Sequence, residues 1–300
     1  MKLSAVINTR DEERNIVRCL RAVLPYVDEM VIVDMESKDR TRQLARSYTK
    51  KIYTHKNVDY VEPARNFAIE KATGDWIILL DADEVLPEEL GLKLRRLAEH
   101  ATYEFYRIPR KNLIFGRWIM HSGWWPDYQI RFFKKGSVSW GNEIHSIPTT
   151  YGKGMDLPCE EKNALIHYHY DSITQYLERL NRYTTQETAQ LTSEGITFSW
   201  KELLTKPVNE FMTRFFVWEG YKDGIHGLAL SLLQAVSFLV VQLKLWEAGR
   251  FKEETLSLDE VRQQYSKIEN DLTYWFYHKK SEAARGVNKL FYKIRARKKQ

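Results

Sequence analysis

Asp81-Ala82-Asp83-Glu84 follows the most continuous apolar run in the first half of the chain, residues 75–80. Carboxylates at alternate positions, backed by a strand apolar on both faces, are costly unless a cation or hydrogen-bond donors meet them. A hard divalent cation, Mg2+ or Mn2+, carrying the phosphates of a nucleotide is the natural partner. The same pair also suits a turn or a helix cap, and Pro87-Glu88-Glu89 nearby fits a helix start. Position favours the cation, because open α/β sheets bind ligands beyond the carboxyl ends of their strands. Two more polar clusters end strands in the same way, Asn8-Thr9-Arg10-Asp11-Glu12-Glu13 and Asp34-Met35-Glu36-Ser37-Lys38-Asp39. Thr9, Asp11, Ser37 and Asp39 suit helix caps. Asp34 comes too early for one, and a carboxylate there can accept the imide N–H of a uracil ring.

The elements that must position these groups alternate short apolar runs with amphipathic stretches, the pattern of βαβ units around a mainly parallel sheet. Strands are expected at 3–7, 30–34, 51–54 and 75–80, and helices at 11–24, 39–49, 62–72 and 87–100. In the first helix Ile16, Leu20, Val23 and Leu24 share one face. Aromatic-rich runs at 103–108 and 129–133 read as strands of a more mixed sheet. Between them, residues 117–127 form a loop that ends Gly123-Trp124-Trp125-Pro126-Asp127, with two indoles suited to stacking on sugar rings. His167 and His169 alternate on an expected strand at 165–170. With no third ligand at zinc spacing, they read as packing or acceptor-site residues.

Composition bounds the rest. In 300 residues, 43% hydrophobic and 13% aromatic content excludes a disordered chain. Two cysteines, Cys19 and Cys159, lie far apart and exclude a disulfide framework, so a reducing, cytoplasmic setting fits, and no export signal is visible. The net charge of +6 points to an anionic partner until it is located. Residues 285–300 hold seven cations and no acid, which leaves residues 1–284 at −1. Basicity confined to a tail does not suit nucleic acid, which asks for a basic face with interleaved aromatics. It suits an anionic membrane surface. Residues 225–243 carry no formal charge, and Gly227, Ser231, Gln234 and Gln242 gather on one side of that helix. Such a helix can lie in a membrane interface, pack on neighbours or just span a bilayer. We therefore expect an α/β domain over 1–200 and a helical region over 201–300, with an apolar helix at 225–246 and a basic tail at 285–300.

At this point the chain resembles a known family. Ser4 to Glu13, Val31-Ile32-Val33-Asp34 with Ser37 and Asp39, Ala64-Arg65-Asn66-Phe67-Ala68, and Gly74-Asp75-Trp76-Ile77-Ile78-Leu79-Leu80-Asp81-Ala82-Asp83-Glu84 occur in the order seen in family-2 glycosyltransferases of the GT-A fold. Residues 123–133, Glu143-Ile144-His145 and residues 176–184 look like the subgroup of lipopolysaccharide-core β-1,4-glucosyltransferases. The resemblance implies a Rossmann-like fold and a uridine pocket lined by Thr9, Asp11 and Asp34, with Arg65 and Asn66 beside it. Asp81 would touch the ribose side, and Asp83 would bind the metal, with His145 a further metal or diphosphate contact. Arg10 stands where many relatives carry an aromatic residue, and its guanidinium plane could stack on the base instead.

Inverting transfer needs a base across the sugar from Asp83. Asp127 is expected to be that base, and Arg131 to stabilise the diphosphate or pair with Asp127. The function implied is metal-dependent transfer of a hexose, glucose by the subgroup, from a UDP-sugar to a lipid-linked saccharide such as a lipopolysaccharide inner core. Alternatives are transfer to a protein or another cell-envelope glycan, or a noncatalytic sugar-nucleotide-binding membrane adaptor. A nucleotidyltransferase would carry a glycine-rich loop after the first strand, and residues 8–13 have no glycine. A processive synthase would need several spans and a QxxRW motif, which Gln129-Ile130-Arg131 does not supply.

Overall fold

The structure, a computed structural model, describes residues 1–57, 61–141 and 147–297. Its first unit is built on strands β1 (Leu3–Thr9), β2 (Glu29–Asp34), β3 (Ile52–Thr54) and β4 (Trp76–Asp81), joined by helices α1 (Ile16–Val23), α2 (Thr41–Ala45) and α3 (Glu62–Lys71). The four strands lie parallel in the order β3-β2-β1-β4. Both faces of this sheet are covered: Leu3, Ala5, Ile7, Ile78 and Leu80 belong to one core cluster, and Val6, Val31, Val33, Ile77 and Leu79 to the other. That is why the strands read as unbroken apolar runs and not as an alternation. Each fully buried Val, Leu or Ile among them contributes about 2 kcal/mol.

Past β4 the sheet becomes mixed, as the aromatic runs suggest. A short strand β5 (Glu84–Val85), helix α4 (Glu88–Glu99), a long strand β6 (Phe105–Ile114), β7 (Arg117–Trp118) and β8 (Asp127–Lys134) follow. Strands β9 (Val138–Ser139) and β10 (Thr149–Thr150) pair with each other, β11 (Gly154–Asp156) pairs with β6, and β12 (Leu165–Tyr170) completes the unit. The order continues β4-β8-β6-β12-β5, with β8 antiparallel to both neighbours and β12 parallel to β6.

The first helix starts at Ile16, later than the expected 11, with Asn15 at its N-cap position and no side-chain cap. The polar residues after β1 and β2 instead lace the two loops together. Asp11 N–H donates to Ser37 Oγ at 2.9 Å, Lys38 N–H donates to Asp11 Oδ1 at 2.7 Å, and Glu13 N–H donates to Asp39 Oδ2 at 3.0 Å. Asp11 adopts a left-handed φ of 53°, which aspartate tolerates better than most side chains.

The second unit comprises Ile119–Gly123 and Ser172–Gln300, and the first comprises Met1–Trp118 and Trp124–Asp171. The division after Asp171 differs from the expected one at 200, because helix α5 (Ile173–Ser193) packs with the helices that follow it. These are α6 (Trp200–Met212), α7 (Ile225–Ala248), α8 (Leu258–Ala283) and α9 (Gly286–Arg297). Among the described residues, α7 is the one helix long and apolar enough to cross a membrane.

Its polar stripe faces inward. Gly227, Ser231 and Gln242 are buried, Gln234 donates to Tyr176 Oη at 2.7 Å, and a Cβ added at Gly227 would meet Gly220 O at 1.8 Å. Ile225, Leu232, Val236 and Leu243 are exposed and fall within a narrow arc of the opposite face. Within the same unit His121 Nδ1 lies 3.0 Å from Asp223 Oδ1, and Asp223 Oδ2 accepts the main-chain N–H of His121 at 2.8 Å.

Candidate active site

The parallel strands deliver three buried acceptors to one edge. Register places Thr9 beside Asp34 and Asn8 beside Asp81. Asn8 Oδ1, Thr9 Oγ1 and Asp34 Oδ1 are buried and have no hydrogen-bond partner among the described residues, although Asp34 is only 2% exposed. The other oxygen of Asp34 accepts the Ser37 N–H at 3.2 Å. A buried acceptor left unmet costs roughly 1–3 kcal/mol, so three at adjacent strand ends call for a ligand that brings N–H and O–H donors.

Beside them runs a chain of ion pairs fixed by strand register. On β8, Asp127, Gln129 and Arg131 share a face, and on β6 Arg110 and Asn112 do. Arg110 lies opposite Asp127, Asn112 lies opposite His167 of β12, and His167 lies opposite Glu84 of β5. Arg131, 1% exposed, donates to Asp81 and to Glu84 Oε1, the latter at 2.8 Å. Arg65 of α3 donates to Asp81 Oδ1 at 3.2 Å. Arg110 donates to Glu84 Oε1 at 3.2 Å and, through Nη2 and Nε, to Asp127 Oδ2 at 2.6 and 2.9 Å. Three guanidiniums thus meet three carboxylates.

Burial alone would raise the pKa of Asp81, but the Arg131, Arg65 and Arg110 charges overcome it and hold the carboxyl well below the usual range. Asp127 follows the same pattern. Burial opposes ionisation, while Arg110, with hydrogen bonds from Asn112 and Gln129, wins and lowers the pKa.

Asp83 is buried and faces an imidazole instead: His167 Nε2 lies 3.5 Å from Asp83 Oδ2. Among the described residues no group of three or more His, Cys, Asp or Glu side chains could hold a metal ion. A carboxylate with an imidazole beside it suits the transition ion Mn2+ better than Mg2+, which keeps to oxygen, with the other ligands coming from phosphate and water.

Of the residues expected at the site, Thr9 and Asp34 belong to the orphaned acceptors, Arg65, Asp81, Asp127 and Arg131 to the chain of ion pairs, Asp83 sits apart against His167, and Asp11 belongs to the laced loops. Asn66 instead clamps a stretch of main chain, its amide donating to Trp140 O at 2.8 Å and accepting the Trp140 N–H at 2.9 Å. Arg131 pairs with Asp81 and Glu84, while Asp127, foreseen as one partner for Arg131, pairs with Arg110 instead. His145 lies outside the described residues.

Sequence reasoning missed Glu84, Arg110, Asn112 and the role of His167. The alternation of Arg110 with Asn112 was a signal, but only the cross-strand register gives it meaning. Trp124 meets His169 edge-on at 5.3 Å, and His169 stacks on His167 at 4.4 Å, so the aromatic loop and the two histidines share one surface.

The sheet, parallel from β3 to β4 and mixed beyond it, has the GT-A fold of the glycosyltransferases. The description "Glycosyl transferase family 2" matches residues 4–152, and the chain belongs to this family of enzymes. It is 28% identical over 269 residues to an uncharacterized glycosyltransferase of Rickettsia typhi, covering 86% of this chain and 91% of the relative. It is 23% identical over 261 residues to the lipopolysaccharide core biosynthesis glycosyltransferase LpsC of Rhizobium meliloti, covering 84% and 94%. The crystal structure of S. aureus TarS 1-349 is similar with a TM-score of 0.43 at 13% identity, covering 86% of this chain and 94% of that one.

Proposed function

We propose that the chain transfers a hexose, glucose by its subgroup resemblance, from a UDP-sugar to a lipid-linked saccharide such as a lipopolysaccharide inner core, with inversion. The observation that carries the donor is the set of orphaned acceptors on Asn8, Thr9 and Asp34, which suits the imide N–H and hydroxyls of uridine. Arg131 keeps two more buried donors, Nε and Nη1, without an acceptor among the described residues, in keeping with a diphosphate nearby. Asp127, ionised and oriented by Arg110, takes the proton of the acceptor hydroxyl as that oxygen attacks C1, and UDP leaves from the opposite face. A divalent cation held by Asp83 and His167 would supply charge stabilisation for the departing diphosphate.

The relative named for lipopolysaccharide core biosynthesis supports the acceptor class. The outward apolar stripe of α7 and the basic tail support a cytoplasmic enzyme held at an anionic membrane surface. A panel of UDP-sugars assayed for Mn2+-dependent UDP release tests the proposal. UDP release with one sugar, lost in D83A, is expected; turnover of none of them, or full activity in D83A, would sink it.

A further inference from the structure

Helix α9 packs by one face and leaves an apolar face in water. Tyr292 stacks on Tyr277 of α8 with ring centroids 6.2 Å apart, and Ala296, four residues on, is buried, which marks the inward side. Val287, Leu290, Phe291 and Ile294 recur at i, i+3, i+4 and i+7 and fall roughly opposite that side at about 100° per residue. They are 83%, 60%, 48% and 48% exposed. Arg295 flanks this stripe on one edge, with Lys293 and Arg297 on the other, and residues 285–297 contain no acid. An apolar face bordered only by cations matches one environment in particular, acyl chains beneath anionic headgroups. A second copy of the helix would cover the apolar stripe but would bring the cationic borders of both copies together.

We propose that α9 lies in the plane of an anionic bilayer, with Val287, Leu290, Phe291 and Ile294 inserted among the acyl chains and the flanking cations at headgroup level. This rests on the membrane-surface reading above and adds the mode of attachment. A purely electrostatic tail lets go as salt rises, whereas an inserted apolar face keeps hold.

The test is flotation of the full chain with phosphatidylcholine vesicles, with and without phosphatidylglycerol, at low and high salt. L290S/F291S leaves every charge in place and, on an exposed face, should fold normally by circular dichroism. It is expected to lower binding to the anionic vesicles by about tenfold or more at high salt. F291W, read as the difference in emission from wild type with its nine native tryptophans, should shift to the blue on those vesicles and be quenched by brominated acyl chains. Wild-type binding by L290S/F291S, an unshifted F291W, or a Phe291-dependent dimer in place of vesicle binding would overturn the proposal. UDP binding on the same samples separates the two readings: its loss with vesicle binding intact counts against the donor assignment alone, and the reverse counts against α9 alone.

Discussion

His167 Nδ1 lies 2.6 Å from Asn112 Oδ1, and this contact decides which nitrogen of the ring carries the proton. Asn112 is fully buried, and its Nδ2 faces two acceptors, Trp124 O at 2.8 Å and Asp127 Oδ2 at 3.1 Å. The amide oxygen must therefore face the imidazole, which donates through Nδ1. A neutral His167 then turns the lone pair of Nε2 toward Asp83. One amide so orients both the carboxylate proposed as base and the imidazole beside the acid pair.

His167→Ala should weaken Mn2+ binding in the presence of UDP by about tenfold or more. Electron paramagnetic resonance of free Mn2+ reads this without turnover. Unchanged affinity would exclude His167 from the metal set.

Arg110→Ala should move the acid limb of the transfer rate to higher pH. The guanidinium favours the ionised form of Asp127, so the wild-type carboxyl stays charged below the ordinary carboxylate range. Without it, burial raises the pKa, and at a given acidic pH fewer molecules carry the base. A pH–rate profile checks the direction, and an unmoved limb would separate Arg110 from that ionisation.

Asp127→Asn should keep UDP binding and lose transfer by roughly 10²- to 10⁴-fold, the range for a positioned base. Calorimetry with UDP beside a single-turnover assay checks both halves, and unchanged transfer would remove Asp127 from the base role.

Asp34→Ala should weaken UDP binding by about tenfold or more while leaving weak ADP binding unaltered, since adenine offers no imide N–H. Equal losses for the two nucleotides would argue against a contact to the base.

Glu29 offers a test away from the site. Burial opposes its ionisation, but Lys51, Ser4 Oγ at 2.5 Å and the Thr73 N–H at 2.8 Å hold its pKa down to about 2. A lowered carboxyl pKa stabilises the fold above the ordinary value near 4.5, and that stability is lost as pH falls toward 2. Glu29→Gln should cost roughly 1–3 kcal/mol near neutral pH, with the gap to wild type closing on acidification. Urea midpoints across pH measure it; a gap that does not depend on pH would mean that packing, not charge, is lost.

The parallel half of the sheet was legible because period and position suffice there. Continuous apolar runs marked the buried parallel strands, and Asp34 and Asp83 stood out as carboxylates placed beyond such runs. The Arg110–Asp127 and Asn112–His167 pairs were not legible, since each joins residues 17 and 55 positions apart through a register that no local pattern encodes. Of the expected caps, Asp39 does meet the start of α2, its Oδ1 accepting the Thr41 N–H at 2.9 Å, whereas Asp11 accepts the Lys38 N–H of the neighbouring loop and α1, with Asn15 at its N-cap position, begins without a side-chain cap. For α7, the sequence showed the polar stripe, but only the folded chain shows that this stripe faces inward.

The assignment of Ile119–Gly123 to the helical unit has a topological consequence. The chain passes between the units at 118/119, 123/124 and 171/172. A protease nicking the 171/172 junction would leave the N-terminal fragment still carrying a piece of the other unit, including the His121 partner of Asp223. Truncation at that junction removes Asp223 and strips His121 of its carboxylate. A clean excision of the sheet unit therefore requires a second edit, the replacement of residues 119–123 by a neutral bridge.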